Sequence, residues 1–498
     1  MNSERIRMQC LHGKICSADD AAMLIKDGMV VGISGFTKFG DARAVPRALV
    51  RRANNGETFR ITLMTGASLG SNIDEDLSDA GIMIRRLPYQ GSAKLRGHIN
   101  SGQVLYIDQH LSHTGEYVSF GHIPKPDIAI IDATFIDENG GIVCTTSVGN
   151  NSPFALNADK IIVEINETHP IEMFGLHDIY VPGPRPGRKT IPLVHPGDKI
   201  GTPTIQVDPS KIAAIVVHQI GDTPVNLAEA DDETNAIAEH LIEFLKYEVK
   251  KGRMTESLLP LQSGVGAVAN AVLRGFGSGP FNGLSMFTEV AQDTAIDLLL
   301  DTGKMDVVST SALSLSQPYL DRVHREAPKL QGKLVLRPQE ISNHPELVRR
   351  LGVISCNTAL EFDIYGNVNS THVLGSKMMN GIGGSGDFAR NASYTIFVTK
   401  SYAKDGKLSS VVPMVTHHDH TEHDVDILIT ERGLADLRGL APRERAKVII
   451  ENTAHPNYKE LLSDYAREAA TKGGQTPHIL SKVFSFHERF ETTGSMLP

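Results

Sequence analysis

Tryptophan is absent from the 498-residue sequence, and cysteine occurs only four times. Any ligand pocket must therefore form without indole stacking. The cysteines are scattered and make no Cys-x-x-Cys pair; they are Cys10, Cys16, Cys144 and Cys356. Because so few scattered cysteines cannot staple a chain of this length, we expect reduced thiols and a cytoplasmic protein.

Long hydrophobic runs and an excess of positive charge are also missing. No run of 18 apolar residues occurs, and residues 1–7 lack the apolar core of a secretory signal, so we expect neither a membrane span nor a signal peptide. The formal net charge of −9 gives no basic surface for nucleic acid. Nucleotide hydrolysis and a serine-hydrolase triad lack their motifs, since neither a P-loop nor a Gly-x-Ser-x-Gly elbow is present.

What the sequence does contain is an alternation of strand-like and helix-like segments, with 45 glycines available for the turns between them. Several apolar segments show no polar alternation, which is typical of parallel strands covered on both faces. They include residues 29–33, 61–64, 128–131 and 160–163. A Pro/Gly cluster at 181–188 indicates a loop or a domain edge.

The chain is too long for a single hydrophobic core, so we predict two domains. The N-terminal domain covers residues 1–225, and the C-terminal domain covers residues 226–498 and carries one candidate functional carboxylate. The predicted fold class is α/β, with two open, mostly parallel-sheet domains and the active site in the cleft between them.

That carboxylate is Glu289, at the end of the strand-like segment 283–290 and just before a helical pattern. Desolvating a carboxylate is costly, so a charged group at such a place usually has a partner or a task. Open α/β sheets also bind their ligands outside the carboxyl ends of the strands. Glu289 is therefore the strongest candidate for a functional residue.

Two glycine turns are candidates for backbone contact with a ligand. At 261–266, Leu-Gln-Ser-Gly-Val-Gly leads into a helical segment, and the free N–H groups there could hold an anion or an oxyanion, although a plain tight turn is an alternative. At 381–386, the glycines spell Gly-x-Gly-x-x-Gly, with Asp405 downstream. A dinucleotide fold is disfavoured because the fingerprint needs a strand before it and a helix after it.

Two other segments carry charged or metal-binding residue types. Residues 417–424 are rich in histidine and carboxylate but miss the spacing of His-Glu-x-x-His, so we expect surface or supporting histidines and no metal site. Glu431 ends another apolar strand, and we predict a glycine turn and a short helix after it, as after Glu289. A structural helix cap is the alternative for Glu431.

Over nearly its whole length the sequence resembles the class I CoA-transferases of the acetyl-CoA hydrolase/transferase group, most of all the succinyl-CoA:acetate CoA-transferases. The resemblance is carried by SGFT at 34–37, TGAS at 65–68, SVGN at 147–150, LPLQSGVG at 259–266, EVAQD at 289–293, DIYGNVNST at 363–371, MNGIGGSGDF at 379–388 and GLADLRG at 433–439. The long glycine-rich motif is the most specific of these.

The resemblance implies roles for individual residues. Glu289 would be the nucleophile, the backbone N–H groups of Val265 and Gly384 would form the oxyanion hole, and Glu431 would be a second active-site carboxylate. Implied CoA-binding positions are Gly264, Val265, Gly266, Ala267, Val268, Asn343, Asn380 and Gly384. We add Leu360 and Gly383 as candidate CoA-binding positions, and Lys377 as a candidate for the CoA phosphates, with a solvated surface lysine as the alternative for Lys377.

Two segments depart from the pattern of the group. Arg432 stands where its members usually have glutamine, and residues 218–222 lack an arginine that some acetate-using members carry there. The first difference changes the setting of the neighbouring Glu431, and the second weakens the assignment of acetate as acceptor.

The implied activity is transfer of CoA from succinyl-CoA to acetate by a ping-pong mechanism, through an acyl-glutamyl anhydride and a glutamyl-CoA thioester. Alternatives are a propionyl-CoA:succinate CoA-transferase, an acyl-CoA hydrolase on the same scaffold, and a non-enzymatic CoA-binding protein. CoA thioesters and carboxylates would be substrates, with no prosthetic group, no nucleic acid and no membrane. The resemblance also implies a homodimer.

Overall fold

The computed structural model describes residues 2–226 and 229–498, and the contacts within it divide the chain into two compact units. The first unit contains the chain up to Asn226 together with the segment Ser285–Leu351. The second contains the stretch that ends at Leu284 together with Gly352–Pro498.

The strands follow one another along the whole chain. In chain order they are β1 (Val30–Ile33), β2 (Ile61–Met64), β3 (Met83–Leu87), β4 (Leu105–Tyr106), β5 (Ile128–Ile136), β6 (Ile142–Cys144), β7 (Lys160–Asn166), β8 (Ile212–His218), β9 (Leu261–Ser263), β10 (Leu284–Phe287), β11 (Val290–Ala291), β12 (Met305–Thr310), β13 (Ala312–Leu313), β14 (Leu334–Leu336), β15 (Ile354–Thr358), β16 (Glu361–Asp363), β17 (Val368–Asn369), β18 (His372–Val373), β19 (Lys377–Met378), β20 (Tyr394–Val398), β21 (Tyr402–Ala403), β22 (Leu408–Ser409), β23 (Val411–Val412), β24 (Ile427–Thr430) and β25 (Gly433–Asp436).

Helices lie between most of these strands. They are α1 (Asn2–Arg5), α2 (Ala18–Ala22), α3 (Ala44–Asn54), α4 (Ile73–Asp79), α5 (Ala93–Asn100), α6 (Leu111–Ser119), α7 (Asn151–Asn157), α8 (Asp232–Lys250), α9 (Ala267–Ser278), α10 (Asp293–Leu300), α11 (Gln317–Leu330), α12 (Gln339–Ser342), α13 (Pro345–Leu351), α14 (Ser385–Ala389), α15 (Pro442–Thr453), α16 (Pro456–Ala470) and α17 (Ser485–Thr493). Short 3-10 turns occur at Gln9–Lys14, Ile171–Met173 and Pro209–Lys211.

The first unit contains a parallel sheet with the strand order β4-β3-β2-β1-β5-β7-β8. β6 adds an antiparallel strand on β5. All nine residues of β5 are buried, as expected for a central parallel strand covered on both faces. The same unit contains β10, β12 and β14, which are adjacent in that order, with β12 and β14 parallel.

The second unit contains the parallel run β9-β15-β20-β24, closed by the antiparallel strand β25. Its longest helix, α8, is capped by Asp231, whose carboxylate accepts the N–H of Thr234 at 2.9 Å, and Asp232 and Glu233 lie in its first turn. A hydrophobic core forms where α15 packs on the sheet, with Phe397, Leu428 and Ile449 fully buried.

Two mostly parallel α/β units confirm the predicted fold class, while the predicted cleft between them stays a prediction. The predicted C-terminal domain 226–498 differs from the observed division, because Ser285–Leu351, which carries Glu289, groups with the N-terminal half. Backbone bridges join Ser147 to Ala312 and Gly149 to Pro338. Such long-range pairing cannot be seen in local periodicity.

The predicted short helix after Glu431 is wrong. Residues 433–436 form β25, which pairs antiparallel with β24, and Thr430 lies opposite Gly433. Ala435 and Leu437 are buried and Asp436 is not, which is the period of two of a strand. A side chain at Gly433 would lie 2.9 Å from the backbone oxygen of Asn452, so glycine permits this close turn.

Among the described helices, none has the length and apolar character that crossing a membrane would need.

Candidate active site

Glu289 lies in the turn between β10 and β11, outside the carboxyl end of β10. Its backbone oxygen accepts hydrogen bonds from the Thr310 hydroxyl and the Ser311 N–H, each at 3.0 Å. Its carboxylate Oε2 accepts a hydrogen bond from Asn343 Nδ2 at 2.7 Å. Both the backbone and the side chain of Glu289 are therefore held in place before any ligand binds.

Asn343, which holds this carboxylate, is itself fully buried after the short helix α12. Its N–H donates to the Gln339 oxygen at 3.0 Å, and its Oδ1 accepts the Ser342 hydroxyl at 2.7 Å. With Oδ1 accepting, the amide nitrogen must face Glu289. The resemblance assigned Asn343 to CoA binding; in the first unit it positions Glu289.

An apolar cluster lies beside Glu289. It consists of Phe36, Ala67, Leu111, Val290 and Ala312, with Tyr89 packed against it. Burial raises the pKa of Tyr89 to about 12, and the charge of Glu289 adds to the rise. Tyr89 follows β3, and no motif in the sequence distinguished it as part of this environment.

The three short N-terminal motifs of the family resemblance meet at the same edge of the first unit. Asn150 Nδ2 donates to the Thr65 oxygen at 3.0 Å, which joins the motif at 147–150 to the motif at 65–68. A Cβ on Gly66 would lie 2.4 Å from the Gly35 oxygen, so the backbones of the motifs at 34–37 and 65–68 are in direct contact. These motifs therefore build the loops around Phe36 and Glu289.

The turn at 264–266 lies in the second unit, between β9 and α9. Gly264 N–H donates to the Cys356 oxygen at 3.0 Å, and Gly266 has a φ of +117°, which favours glycine. Val265 is 49% exposed, which is unusual for a valine and leaves the turn accessible. Ala267 and Val268 begin α9 and are half-buried.

The glycine-rich loop at 379–388 is tied down by its own polar side chains. Asn380 Nδ2 donates to the Ser370 oxygen at 3.2 Å and to the Gly381 oxygen at 2.9 Å. Gly383 adopts a φ of +62°, and the buried Gly384 precedes α14. Leu360 is half-buried after β15, and Lys377 is exposed in β19.

The histidine-rich segment supports this loop. Asp419 accepts hydrogen bonds from the Ser370 N–H at 2.7 Å and the Thr371 hydroxyl at 2.9 Å, and the ring of the buried His420 lies 3.1 Å from the Ser385 hydroxyl. Part of the segment thus positions the loop, which agrees with the expectation of supporting histidines.

Glu431 follows β24, and its side chain is only 5% exposed. Its carboxylate accepts the Ser401 N–H at 2.7 Å and also the Ser401 hydroxyl. Arg432 Nε donates to it at 2.9 Å. This carboxylate is therefore held by a cation and a serine.

Asp132, Glu164 and His218 form the one cluster of three potential metal ligands among the described residues, with ligand atoms within 4.8 Å of one another. Glu164 already accepts three backbone N–H groups from residues 43–45 at the start of α3. His218 Nδ1 accepts the Ile220 N–H at 3.1 Å, and its Nε2 lies 3.1 Å from the Glu164 carboxylate. The arrangement suits a hydrogen-bonded support for α3.

The structure thus places the sequence-predicted residues in two sets. Glu289 and Asn343 touch in the first unit. In the second unit, the turn at 264–266 follows β9, Leu360 follows β15 and Glu431 follows β24. Because these strands are parallel, the three sites lie at the same edge of the sheet.

Two family models match the chain. The acetyl-CoA hydrolase/transferase N-terminal domain covers residues 2–217, and the C-terminal domain covers residues 322–466. Glu289 lies between these matches, in a segment that full-length relatives include.

Among those relatives, succinyl-CoA:acetate CoA-transferase from Clostridium kluyveri is 52% identical over 100% of this chain and 92% of its own. Propanoyl-CoA:succinate CoA transferase from Escherichia coli is 44% identical over 97% of this chain and 98% of its own. Acetyl-CoA hydrolase from Candida glabrata is 41% identical over 99% of this chain and 97% of its own.

Solved structures share the fold at lower identity. RipA from Yersinia pestis has a TM-score of 0.71 at 20% identity, covering 92% of this chain and 98% of that one. 4-Hydroxybutyrate CoA-transferase from Porphyromonas gingivalis has a TM-score of 0.63 at 21% identity, covering 92% and 99%.

Proposed function

The chain belongs to the acetyl-CoA hydrolase/transferase family of enzymes, and from that premise we propose that it transfers CoA from succinyl-CoA to acetate, giving acetyl-CoA and succinate. The observation that carries the proposal is the carboxylate of Glu289, held at 2.7 Å by Asn343 beside an apolar cluster. A relative that shares 52% identity over the whole chain and is named for this reaction supports the choice of substrates.

The first half of the proposed reaction forms a covalent enzyme. The Glu289 carboxylate attacks the thioester carbonyl of succinyl-CoA, the carbon–sulfur bond breaks, and an anhydride and CoA thiolate result. The thiolate then attacks the glutamyl carbonyl and releases succinate, which leaves a glutamyl-CoA thioester. Acetate reverses both steps and departs as acetyl-CoA, so the kinetics are ping-pong.

Asn343 suits this chemistry because it is a neutral donor. A fixed carboxylate oxygen reduces the number of rotamers that must be ordered at the moment of attack. A hydrogen bond from an amide does this without placing a full positive charge on the nucleophile. CoA would be a substrate that enters and leaves, and the proposal needs no prosthetic group and no metal.

Each step passes through a tetrahedral oxyanion that needs preorganised donors. We assign this role to the backbone N–H groups of Val265 and Gly384, and losing one such donor typically costs about 10²–10³ in rate. Glu431 would act as a second active-site carboxylate, and Lys377 would contact the CoA phosphates. A homodimer and a cytoplasmic location complete the proposal.

Hydrolysis of acetyl-CoA is the second candidate, because relatives with 41% identity are named acetyl-CoA hydrolases. In that reaction water would take the place of the acceptor carboxylate. A transferase for propionyl-CoA and succinate is the nearest neighbour in substrate choice, as the relative from Escherichia coli indicates.

The test is the mass of the Glu289 peptide after exposure of the protein to succinyl-CoA without an acceptor. We expect an adduct of CoA less one water on Glu289, which acetate discharges as acetyl-CoA. The Glu289→Gln variant, treated identically, provides the blank. Steady release of free CoA without an adduct would favour hydrolysis. An adduct that propionate but not acetate discharges would favour the neighbouring transferase.

A further inference from the structure

A cavity in the first unit lies away from Glu289. It has a volume of about 250 Å³ and is bounded by α6, α7, the loop at 180–188 and the start of α12. Its walls are mainly apolar, formed by Phe120, Pro153, Leu156, Tyr180, Val181, Pro182, Pro184 and Pro338. The Pro/Gly cluster that the sequence marked as a loop therefore forms one wall of a cavity.

Glu340 is a carboxylate in the wall of this cavity that has no cation from the described part of the chain within hydrogen-bond distance. Its side chain is 9% exposed, and its nearest cation is Arg188, at 3.8 Å. Glu340 accepts no hydrogen bond from any residue that the structure describes. Burial raises its pKa to about 7, and the charge of Glu116 adds to the rise. A buried carboxylate without donors is costly.

The neighbouring cations are already engaged. Arg188 pairs with Glu116 and donates from Nε to the Gly183 oxygen at 2.8 Å. Arg185 lies 3.8 Å from Glu116, and its guanidinium stacks over Phe120 at 4.4 Å. Both guanidinium groups therefore lie closer to the Glu116 carboxylate than to the Glu340 carboxylate.

A second polar group in the wall lacks a partner. Ser152 is 1% exposed and lines the cavity, and its hydroxyl has no hydrogen-bond partner among the described residues. Buried polar groups in native proteins are normally satisfied. The cavity is therefore lined by a carboxylate whose nearest cation is 3.8 Å away and by a hydroxyl without a hydrogen-bond partner among the described residues.

We propose that this cavity binds a small organic ammonium ion, with the charged nitrogen on Glu340, the Ser152 hydroxyl as a further polar contact, and the apolar body against the proline-rich wall. An ammonium group supplies the donors that Glu340 lacks and a charge of the opposite sign. An anion would instead meet the two carboxylates of Glu116 and Glu340 in the cavity wall. An apolar cavity of about 150 Å³ is known to take benzene, so a benzylammonium ion fits the available volume.

The position of Glu340 connects the cavity to the candidate active site. Glu340 belongs to α12, three residues before Asn343, which holds Glu289, and α12 packs on α6, which carries Glu116. A ligand on Glu340 therefore acts on the helix that positions Asn343. This consequence rests on the proposed function, whereas the binding itself is measured without any reaction.

The experiment is isothermal titration calorimetry of the full chain at pH 8 with benzylammonium, and with benzyl alcohol as the neutral isostere. We expect saturable binding of benzylammonium and at least about tenfold weaker binding of the alcohol. Glu340→Gln should weaken benzylammonium binding at least about tenfold, and Ser152→Ala should weaken it several-fold. Glu346→Gln, which removes an exposed carboxylate on the next helix, is the matched control and should bind normally.

The parent protein offers an independent test through pH. The charged and titratable groups around Glu340 are Glu116, Arg185, Arg188 and His344, and burial lowers the pKa of His344. Because Glu340 takes up a proton near pH 7, benzylammonium should bind about tenfold more weakly at pH 6 than at pH 8. Absence of saturable binding, equal binding by the alcohol, or an unchanged affinity in Glu340→Gln would each overturn the proposal.

Discussion

Glu289 and Glu431 both follow a mostly buried strand of a sheet, yet the two carboxylates are held in different ways. Glu289 is held by the amide of Asn343 at 2.7 Å. Glu431 accepts the Arg432 guanidinium at 2.9 Å and both donors of Ser401. A charge-assisted pair lowers the free energy of the ionised carboxylate, whereas a neutral amide orients it with less stabilisation.

The chain after each carboxylate differs as well. After Glu289 it makes the short strand β11 and then α10, whereas after Glu431 it turns straight back as β25. Because β25 folds back on β24 as a hairpin, Glu431 lies next to backbone that is already hydrogen-bonded within its own sheet. Two similar sequence contexts thus place one carboxylate on a neutral amide and the other on a cation and a serine.

The largest effect should come from removing the nucleophile. Glu289→Gln keeps the size of the side chain but removes the attacking oxygen's charge, so we expect kcat for CoA transfer to fall by at least about 10³-fold. Glu431→Gln is the matched variant and should cost about 10²-fold at most, since a supporting residue acts through position. Equal losses of kcat in the two variants would mean that the two carboxylates do not differ in their contribution to catalysis. Steady-state kinetics with succinyl-CoA and acetate measure both.

A smaller effect should follow from removing the donor to Glu289. Asn343→Ala leaves the Glu289 carboxylate without its amide partner, and we expect a loss of about 10²-fold in kcat. The glutamyl-CoA adduct should still form, only more slowly, and rapid-quench mass spectrometry can follow it. Ser342→Ala, which removes the hydroxyl that orients Asn343, should cost less than Asn343→Ala. A rate unchanged in Asn343→Ala would show that the amide does not position the nucleophile.

The smallest effect should be a change in the free energy of unfolding when a donor to the Glu431 carboxylate is removed. Arg432 is 36% exposed, so Arg432→Gln should change the free energy of unfolding by less than about 1 kcal/mol. Ser401 is fully buried, so Ser401→Ala should cost about 1–3 kcal/mol by removing the buried one of the two side-chain donors to Glu431 Oε1. Urea unfolding of both variants gives the two values. The reverse order would mean that the cation, and not the serine, holds Glu431.

Much of the architecture could be predicted because apolar strands without alternating polar residues indicate a parallel sheet. Glu289 was found because a carboxylate ending such a strand is rare. The hairpin after Glu431 was missed, since the glycine turn suggested a helix and only the pairing of Thr430 with Gly433 distinguishes a strand there. Tyr89 was missed because an isolated tyrosine carries no local signal.

By itself, the sequence determined the strand and helix alternation, the family, and the candidate nucleophile, because these depend on local periodicity and on motifs of contiguous residues. Tertiary structure alone decided that Ser285–Leu351 groups with the N-terminal half, that Asn343 holds Glu289, and that Glu340 and Ser152 line one cavity. These residues lie 54 and 188 positions apart in the two pairs, and only backbone pairing and packing of distant segments bring them together.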